Sequence, residues 1–412
     1  MEFLKKINNK KTKIKNVSQD ILLNVVANMI PVIILQFLIQ PIVANKLGAE
    51  RNGLFITIIA LLRFTVVITG SSLNNTRLLL DKMYKNNNFV GDFNLYLLVL
   101  SVVNIFIVAV GLILYGKSIS AIEIFIICIL SLLWMIKDYL IVEYRIILNY
   151  KKILINNLLL SLGLVLGLLV FIYLPYWHVI FIVGYLISFL HVFWTTKLIK
   201  EPFVKTSMFA ILNKTILVII FANFLAMLSA NFDRLVLYPL VGGTLVSIYY
   251  SASAMGKMMT LLSSPLSSVF LSYVVKYELL PMKWFNYIVG ISIFLGIILY
   301  IIFILVSPIL LNVLYPKWSN ESIRYVPIVT AIAIFELVVT VINPIVMRFC
   351  KINYQIKIQL LFLLSYMVLG LSLLKVFGMI GFAYGVLIAT FIKVLYVYFN
   401  ARSVLLKINN RG

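Results

Sequence analysis

Apolar residues dominate this chain in long unbroken runs, and polar residues mark where the runs stop. Runs of about 20 apolar residues recur along the whole chain, the length a helix needs to cross roughly 30 Å of hydrocarbon. Because the runs are continuous rather than alternating, barrel strands are excluded. The pattern predicts twelve membrane-spanning helices, at residues 20–43, 53–76, 93–115, 119–142, 153–174, 177–196, 208–238, 244–272, 284–315, 325–347, 357–376 and 379–401. The connections are short, and none could hold a separate soluble domain. Pro31, Pro41, Pro239, Pro265, Pro308 and Pro344 fall where a span would kink or end.

Composition agrees with this pattern. Of 412 residues, 63% are hydrophobic and 12% charged, too few polar groups to solvate the outside of a soluble domain. The expected class is an all-α polytopic membrane protein. A net charge of +22 would suit nucleic acid, but the basic residues sit mostly in short loops, where they mark topology instead. With the amino terminus inside, and with Lys357 and Lys375 at the ends of one span counted with the loops they border, cytoplasmic segments hold 23 of the 35 Lys and Arg, the opposite side 6 and the spans 6. Both termini are therefore expected in the cytoplasm, with residues 1–19 as a basic cytoplasmic tail. The start KKINNKKTKIK leads into a full-length apolar segment without a small-residue cleavage motif, so no cleavable signal peptide is expected. Cys128 and Cys350 lie in different segments without CxxC spacing, and His178 and His191 are too few for a metal cluster. No Gly-rich phosphate loop, Walker motif or HExxH occurs, and the short loops leave nowhere for a soluble catalytic face. No catalytic residue, cofactor or metal is expected, and any energy source is an ion gradient or the cargo's own gradient.

The halves of the chain echo one another. When Gly48 of ANKLGAERNGLFITIIALLRF is aligned with Gly242 of YPLVGGTLVSIYYSASAMGKM, Arg63 falls on Lys257 without a gap. LPYWHVIFIVGYLI near Leu174 and LKVFGMIGFAYGVLI near Leu374 rhyme in the same way. Two groups of six spans with both termini inside run parallel, related by an axis along the membrane normal. The expected lobes are residues 20–200 and 201–412, each a six-helix bundle.

Charges inside the spans are the candidate chemistry, because one at mid-bilayer costs roughly 2.5–3.5 kcal/mol. The cations are Arg63, Lys137, Lys214, Arg234, Lys257 and Lys393; the acids are Glu123, Asp233 and Glu336, with Asp138 and Glu143 near span ends. Lys214 is close enough to an edge to snorkel. Asp233–Arg234 and Lys137–Asp138 are sequence neighbours, but adjacent helix positions point about 100° apart and need not pair. Arg63, Lys257 and Lys393 have no acid beside them in the sequence. These three are expected to face a water-filled cavity and attract an anion, Arg gripping phosphate through two hydrogen bonds and Lys acting as a point charge. Asn28, Asn74 and Asn223 would offer neutral hydrogen-bonding groups, suited equally to sugar hydroxyls and to interhelical bonds. Glu336, Glu123 and Asp233 are candidates for ion coupling, with interhelical ion pairing as the plainer alternative.

Three stretches carry a family resemblance. PIVANKLGAERNGLF resembles the element after the first span of polysaccharide exporters. NFDRLVLYPLVGGTLVSIYYSA resembles their central "D-r" element, with Asp233 and Arg234 on that pair, although Ser247 and Gly243 depart from its usual glycine and acid. FGMIGFAYGVLIA resembles their closing element. The chain thus resembles the Wzx-type flippases for lipid-linked oligosaccharides, in the MOP superfamily with MATE drug exporters and lipid II flippases. The resemblance implies two six-helix bundles in a V around a cationic cavity, which also takes in Arg234 and Lys137. It implies alternating access that moves an undecaprenyl-pyrophosphate-linked O-antigen or similar unit between leaflets of a bacterial cytoplasmic membrane. A monomer working beside polymerase and chain-length proteins would fit that pathway. The alternative is a MATE-type drug or cation antiporter, which needs intramembrane acids; Asp20 lies only at the edge of the first span.

Overall fold

The computed structural model describes residues 23, 25–87, 89–116, 119–274, 280–350 and 353–409, with no side-chain detail for 259–274, 353 and 355. The basic tail at residues 1–19 lies outside them. The described residues form helices and connecting turns, with no strand. This is the expected outcome for apolar sequence in lipid, where each backbone polar group must find its partner within its own helix. The principal helices are α1 (Gln40–Val66), α2 (Ser72–Asn86), α3 (Asp92–Tyr115), α4 (Ala121–Leu140), α5 (Tyr150–Tyr173), α6 (His178–Thr195), α7 (Phe209–Val274), α8 (Met282–Leu314), α9 (Val326–Phe349) and α10 (Asn353–Asn409).

Among the described residues, nine helical runs are long and apolar enough to cross a membrane. Three of these runs contain a break. Gly48 breaks α1, Gly242 breaks α7 and Gly378 breaks α10, and each break joins two helices at a single non-helical residue. Gly48 has φ 78° and ψ 168°; Gly242 has φ 80° and ψ 169°. The two glycines aligned by the sequence repeat thus share one backbone conformation, in a region essentially reserved for glycine. A Cβ at either would meet no atom within 4 Å. Backbone torsion, not space, demands the glycine.

The chain divides into two compact units. The first holds the described residues up to Lys46 together with Leu54–Met227; the second holds Leu47–Gly53 and Leu228–Gly412. Each takes in residues from across the boundary expected near residue 200, for a visible reason. The start of α7 belongs to the first unit because Met208, Leu212 and Ile216 join its core with Leu73, Tyr84, Phe93 and Tyr139. Asn223 also donates to Ser72 Oγ at 2.9 Å. The segment before α7 is strapped to the same unit. Asn94 Nδ2 donates to the carbonyls of Leu198 (3.2 Å) and Glu201 (2.7 Å), and Asp92 Oδ1 accepts from Thr206 N at 2.6 Å. Helices α5 and α6 meet through Gly163, Gly167 and Gly184; a Cβ on Gly163 would stand 2.8 Å from Gly184 Cα. Small residues of this kind let helices approach closely in lipid, where contact rather than water exclusion drives packing.

In the second unit α8, α9 and α10 share a core that includes Phe285, Val289, Ile342, Val346, Val397 and Leu405. Residues 47–53 join this unit through the turn at Gly242. The Glu50 carboxylate accepts from Thr244 N at 3.0 Å and Thr244 Oγ1 at 2.8 Å. Asn52 Nδ2 donates to Ser247 Oγ at 3.1 Å. Glu50 therefore caps the helix that restarts after Gly242, placing an anion at its positive end. Gly53 and Gly243 pack backbone to backbone, and a Cβ on Gly53 would come within 2.1 Å of Gly243 O. The outer faces of both units are apolar, as Phe106, Leu114, Val218, Phe294 and Leu305 illustrate. Such extensive exposed apolar surface suits lipid rather than water.

Candidate functional site

In-span charges gather in one place in each unit. In the second unit, Asp233 and Arg234 sit on α7 before Gly242, and Lys257 sits on α7 after it. The bend folds the two parts back so that Lys257 Nζ lies 3.6 Å from Asp233 Oδ2. Arg234 Nε is 3.8 Å from Asp233 Oδ1. Both cations lie over the Tyr250 ring, Arg234 at 4.9 Å and Lys257 at 5.7 Å from its centroid. Tyr250 precedes Lys257 by seven residues, two helical turns, which brings both to one face.

A second ion pair joins α9 to α10. Lys393 Nζ donates to both oxygens of Glu336, each at 2.8 Å, and stands 4.4 Å over the Phe362 ring. Phe362 and Tyr366 rings are 5.6 Å apart. Tyr366 in turn packs on Phe232 at 5.0 Å and hydrogen-bonds to the Asp233 backbone. The order Glu336, Lys393, Phe362, Tyr366, Asp233, Lys257 is thus one connected cluster, two ion pairs bridged by aromatic rings. Its formal charge is +1: Arg234, Lys257 and Lys393 against Asp233 and Glu336.

The sequence expectation that Lys257 and Lys393 stand without an acid is corrected here. Each has a carboxylate partner, from another part of α7 or from another helix, beyond the reach of sequence adjacency. Lys257 keeps 37% of its side chain accessible, against 12% for Lys393. Beside the Lys393 pair lies a groove of about 390 Å³ lined by Val289, Ile293, Phe335, Val338, Phe391 and Val394, among other apolar residues. None of the candidate cations lines it.

In the first unit, Lys137 Nζ lies 3.4 Å from Asp138 Oδ1. These neighbours do pair, although helix geometry did not require it. Ser71 Oγ donates to Asp138 Oδ2 at 3.1 Å from a π-helical turn, Val67–Ser71, that ends beside it. An extra residue in a helical turn re-aims its side chains, and such turns recur at functional sites. Lys137, Asp138 and exposed Arg63 all act electrostatically on Tyr185 or lie over it, and Trp134 stacks on Tyr185 at 4.4 Å. Arg63 and Lys257, mates in the repeat, thus each have a tyrosine of their own unit within electrostatic reach.

The neutral candidates are all engaged within the first unit. Asn157 Nδ2 donates to Asn28 Oδ1 at 3.3 Å; Asn74 Nδ2 donates to the Asp138 carbonyl at 2.6 Å; Asn223 donates to Ser72. Glu123 has a local structural role. It lies in the first turn of α4, where its carboxylate accepts from Ser120 N at 3.0 Å while Ser120 Oγ accepts from Glu123 N at 3.2 Å. This reciprocal cap explains the acid without ion coupling. Sequence reading missed Tyr250, Phe362 and Tyr366, which form the floor and bridge of the cluster. The Tyr249–Tyr250 pair at helical spacing from Lys257 was the available signal.

No family model matches the sequence, and no curated protein matches it in sequence. Solved structures do match in fold. One is the "Lipid II flippase MurJ, inward closed conformation", at 17% identity, TM-score 0.65, covering 93% of this chain and 86% of that one. Another is an inward-facing multidrug resistance MATE family transporter of the MOP superfamily, at 14% identity and TM-score 0.65, covering 94% and 99%. A third is a MOP superfamily transporter from Pyrococcus furiosus, whose binding pocket is described as reversed in polarity, at 16% identity and TM-score 0.62, covering 94% and 95%. The chain has the fold shared by MurJ and the MATE transporters of the MOP superfamily.

Proposed function

We propose that this protein is a MOP-type flippase for a lipid-linked oligosaccharide carried on pyrophosphate. The reading is of twelve crossings, counting the helices on either side of Gly48, Gly242 and Gly378 separately, in lobes of six near residues 20–200 and 201–412. Both termini lie in the cytoplasm, and cargo passes from the inner to the outer leaflet of a cytoplasmic membrane by alternating access. The observation that carries it is the second-unit cluster: three cations against two acids, held on aromatic rings inside membrane-crossing helices. Intramembrane ionisable groups are costly and mark transport pathways. A cluster with excess positive charge favours an anionic group over a cationic drug. Arg234, Lys257 and Lys393 bind the pyrophosphate in this account. Arg63 and Lys137 are the corresponding candidate cations of the first unit. The unit is O-antigen or a similar polymer repeat, handed on to polymerase and chain-length proteins, and the transporter works as a monomer.

A MATE-type antiporter is disfavoured because the net positive charge of the cluster repels a cationic drug. Reconstitution of the purified protein in liposomes separates the two. Flipping of a polyprenyl-pyrophosphate-linked sugar, with no uptake of a lipophilic cationic dye, is the expected result. Dye transport without flipping would reverse the assignment.

A further inference from the structure

The proposed cargo meets an obstacle in the structure. All three of its second-unit cations already have carboxylate partners: Lys257 and Arg234 share Asp233, at 3.6 and 3.8 Å, and Lys393 holds Glu336 at 2.8 Å. A pyrophosphate approaching these lysines competes with the acids that neutralise them. If both acids stayed ionised after displacement, they would face the incoming anion at close range, Asp233 from a side chain only 10% exposed. Like charges at that range repel strongly where the dielectric is low.

We infer that Asp233 and Glu336 are exchangeable counter-ions, each taking up a proton as the pyrophosphate displaces it from its lysine. This inference rests on the proposed function and adds the coupling to it. The charges balance: the two ammonium–carboxylate pairs and the Arg234 contact to Asp233 become cation–phosphate contacts, and each freed carboxylate becomes a neutral acid by taking one proton from the buffered solvent. No covalent bond changes. Release of the anion reverses the exchange and returns the protons, so that cargo and protons enter the site together.

The surroundings of each acid support exchange rather than permanent pairing. Asp233 faces Lys257 and Arg234 as charged groups, with the phenols of Tyr249 and Tyr366 within electrostatic reach. Arg234 remains to hold the anion when Asp233 is neutral. Glu336 faces Lys393, its one ion-pair partner within 4 Å among the described residues. Helix α8, packed against α9, carries no charged residue after Lys283, so it offers no replacement cation. Lys393 otherwise rests on the Phe362 ring, a face that holds an ammonium while leaving its N–H groups free to change acceptor. The Phe362–Tyr366 bridge places both exchanges in one cluster.

The test is calorimetry on the purified full chain in nanodiscs. Farnesyl pyrophosphate and inorganic pyrophosphate are titrated separately, each in two buffers of different ionisation enthalpy. The heat difference counts protons. The comparison is with the double variant Asp233→Asn, Glu336→Gln, which cancels the probe's own protonation. Wild type is expected to take up on the order of one to two protons more than the variant. Its affinity should weaken up to about tenfold per pH unit for each such proton as pH rises, while the variant binds more tightly at pH 8 and loses that slope. Uptake with farnesyl pyrophosphate alone would make the lipid-linked form the ligand; equal uptake with both would make the pyrophosphate group sufficient, and either supports exchange. Binding with equal proton counts in wild type and variant overturns the exchange and leaves the flippase reading standing. Absence of binding by wild type overturns both. If the double variant does not fold, the single variants Asp233→Asn and Glu336→Gln keep the test decisive, each expected to take up about one proton fewer than wild type.

Discussion

Two ion pairs in this protein look alike in a list of contacts and differ in kind. Arg77 meets Glu201 through both guanidinium nitrogens, at 2.7 and 2.5 Å, donates to Tyr139 Oη at 3.3 Å and lies 4.6 Å over the Phe93 ring. Its donors have fixed acceptors on three sides, and it ties α2 to the strap that precedes α7. Lys393 meets Glu336 with one ammonium, and its other neighbour is a ring. A planar guanidinium fork fixes geometry, whereas an ammonium is a rotatable point charge. The first pair holds the fold together; the second is arranged to let go. Charge inside an apolar helix is thus an incomplete signal until the acceptors around it are known.

The sharpest way to break this comparison is to remove the acid from each pair. Glu201→Ala should destabilise the protein by about 3–5 kcal/mol, because it leaves a buried guanidinium uncompensated. Thermal unfolding followed by tryptophan fluorescence checks this, and transport should fall only with the folded fraction. Glu336→Gln should cost less than this, because the amide oxygen can still accept from Lys393 and Glu336 is the more exposed acid, 28% against 16% for Glu201. Equal losses in the two variants would erase the distinction. Lys393→Ala should lower transport about 10–100-fold, as expected for losing a charge-assisted hydrogen bond worth roughly 1.5–3 kcal/mol. Its unfolding temperature should stay close to wild type, and Lys393→Arg should recover part of the rate.

Smaller effects sharpen the account elsewhere. Gly242→Ala should destabilise by about 1–3 kcal/mol through torsion alone, and Gly48→Ala by a similar amount if the repeated turns are equivalent. A large difference between them would show that shared dihedral angles conceal unequal roles. Glu123→Ala should cost about 0.5–2 kcal/mol as a lost helix cap and leave the transport rate per folded molecule unchanged, measured in the same liposome assay. A coupling role would instead abolish transport.

The sequence made the helical architecture legible because apolar length is a direct consequence of bilayer thickness. It also marked the turns: Gly48 and Gly242 align in the repeat and adopt the same torsions. Partnerships were hidden. Lys257 and Asp233 are 24 residues apart and meet only because α7 bends between them. Lys393 and Glu336 are 57 residues apart, on helices whose packing depends on side-chain fit. The capping role of Glu123 was hidden because the expected span begins at residue 119; with α4 starting at Ala121, the acid lies in the first turn. Tyr250, Phe362 and Tyr366 escaped notice among many aromatic residues, since only contact with a cation separates a binding platform from core.

The most direct measurement is the rate at which the reconstituted protein flips a fluorescent polyprenyl-pyrophosphate-linked sugar, compared among wild type, Lys257→Ala and Lys393→Ala, each confirmed as folded. The account predicts clear flipping by wild type and a loss of about tenfold or more in each variant. Wild-type rates in both variants would contradict it.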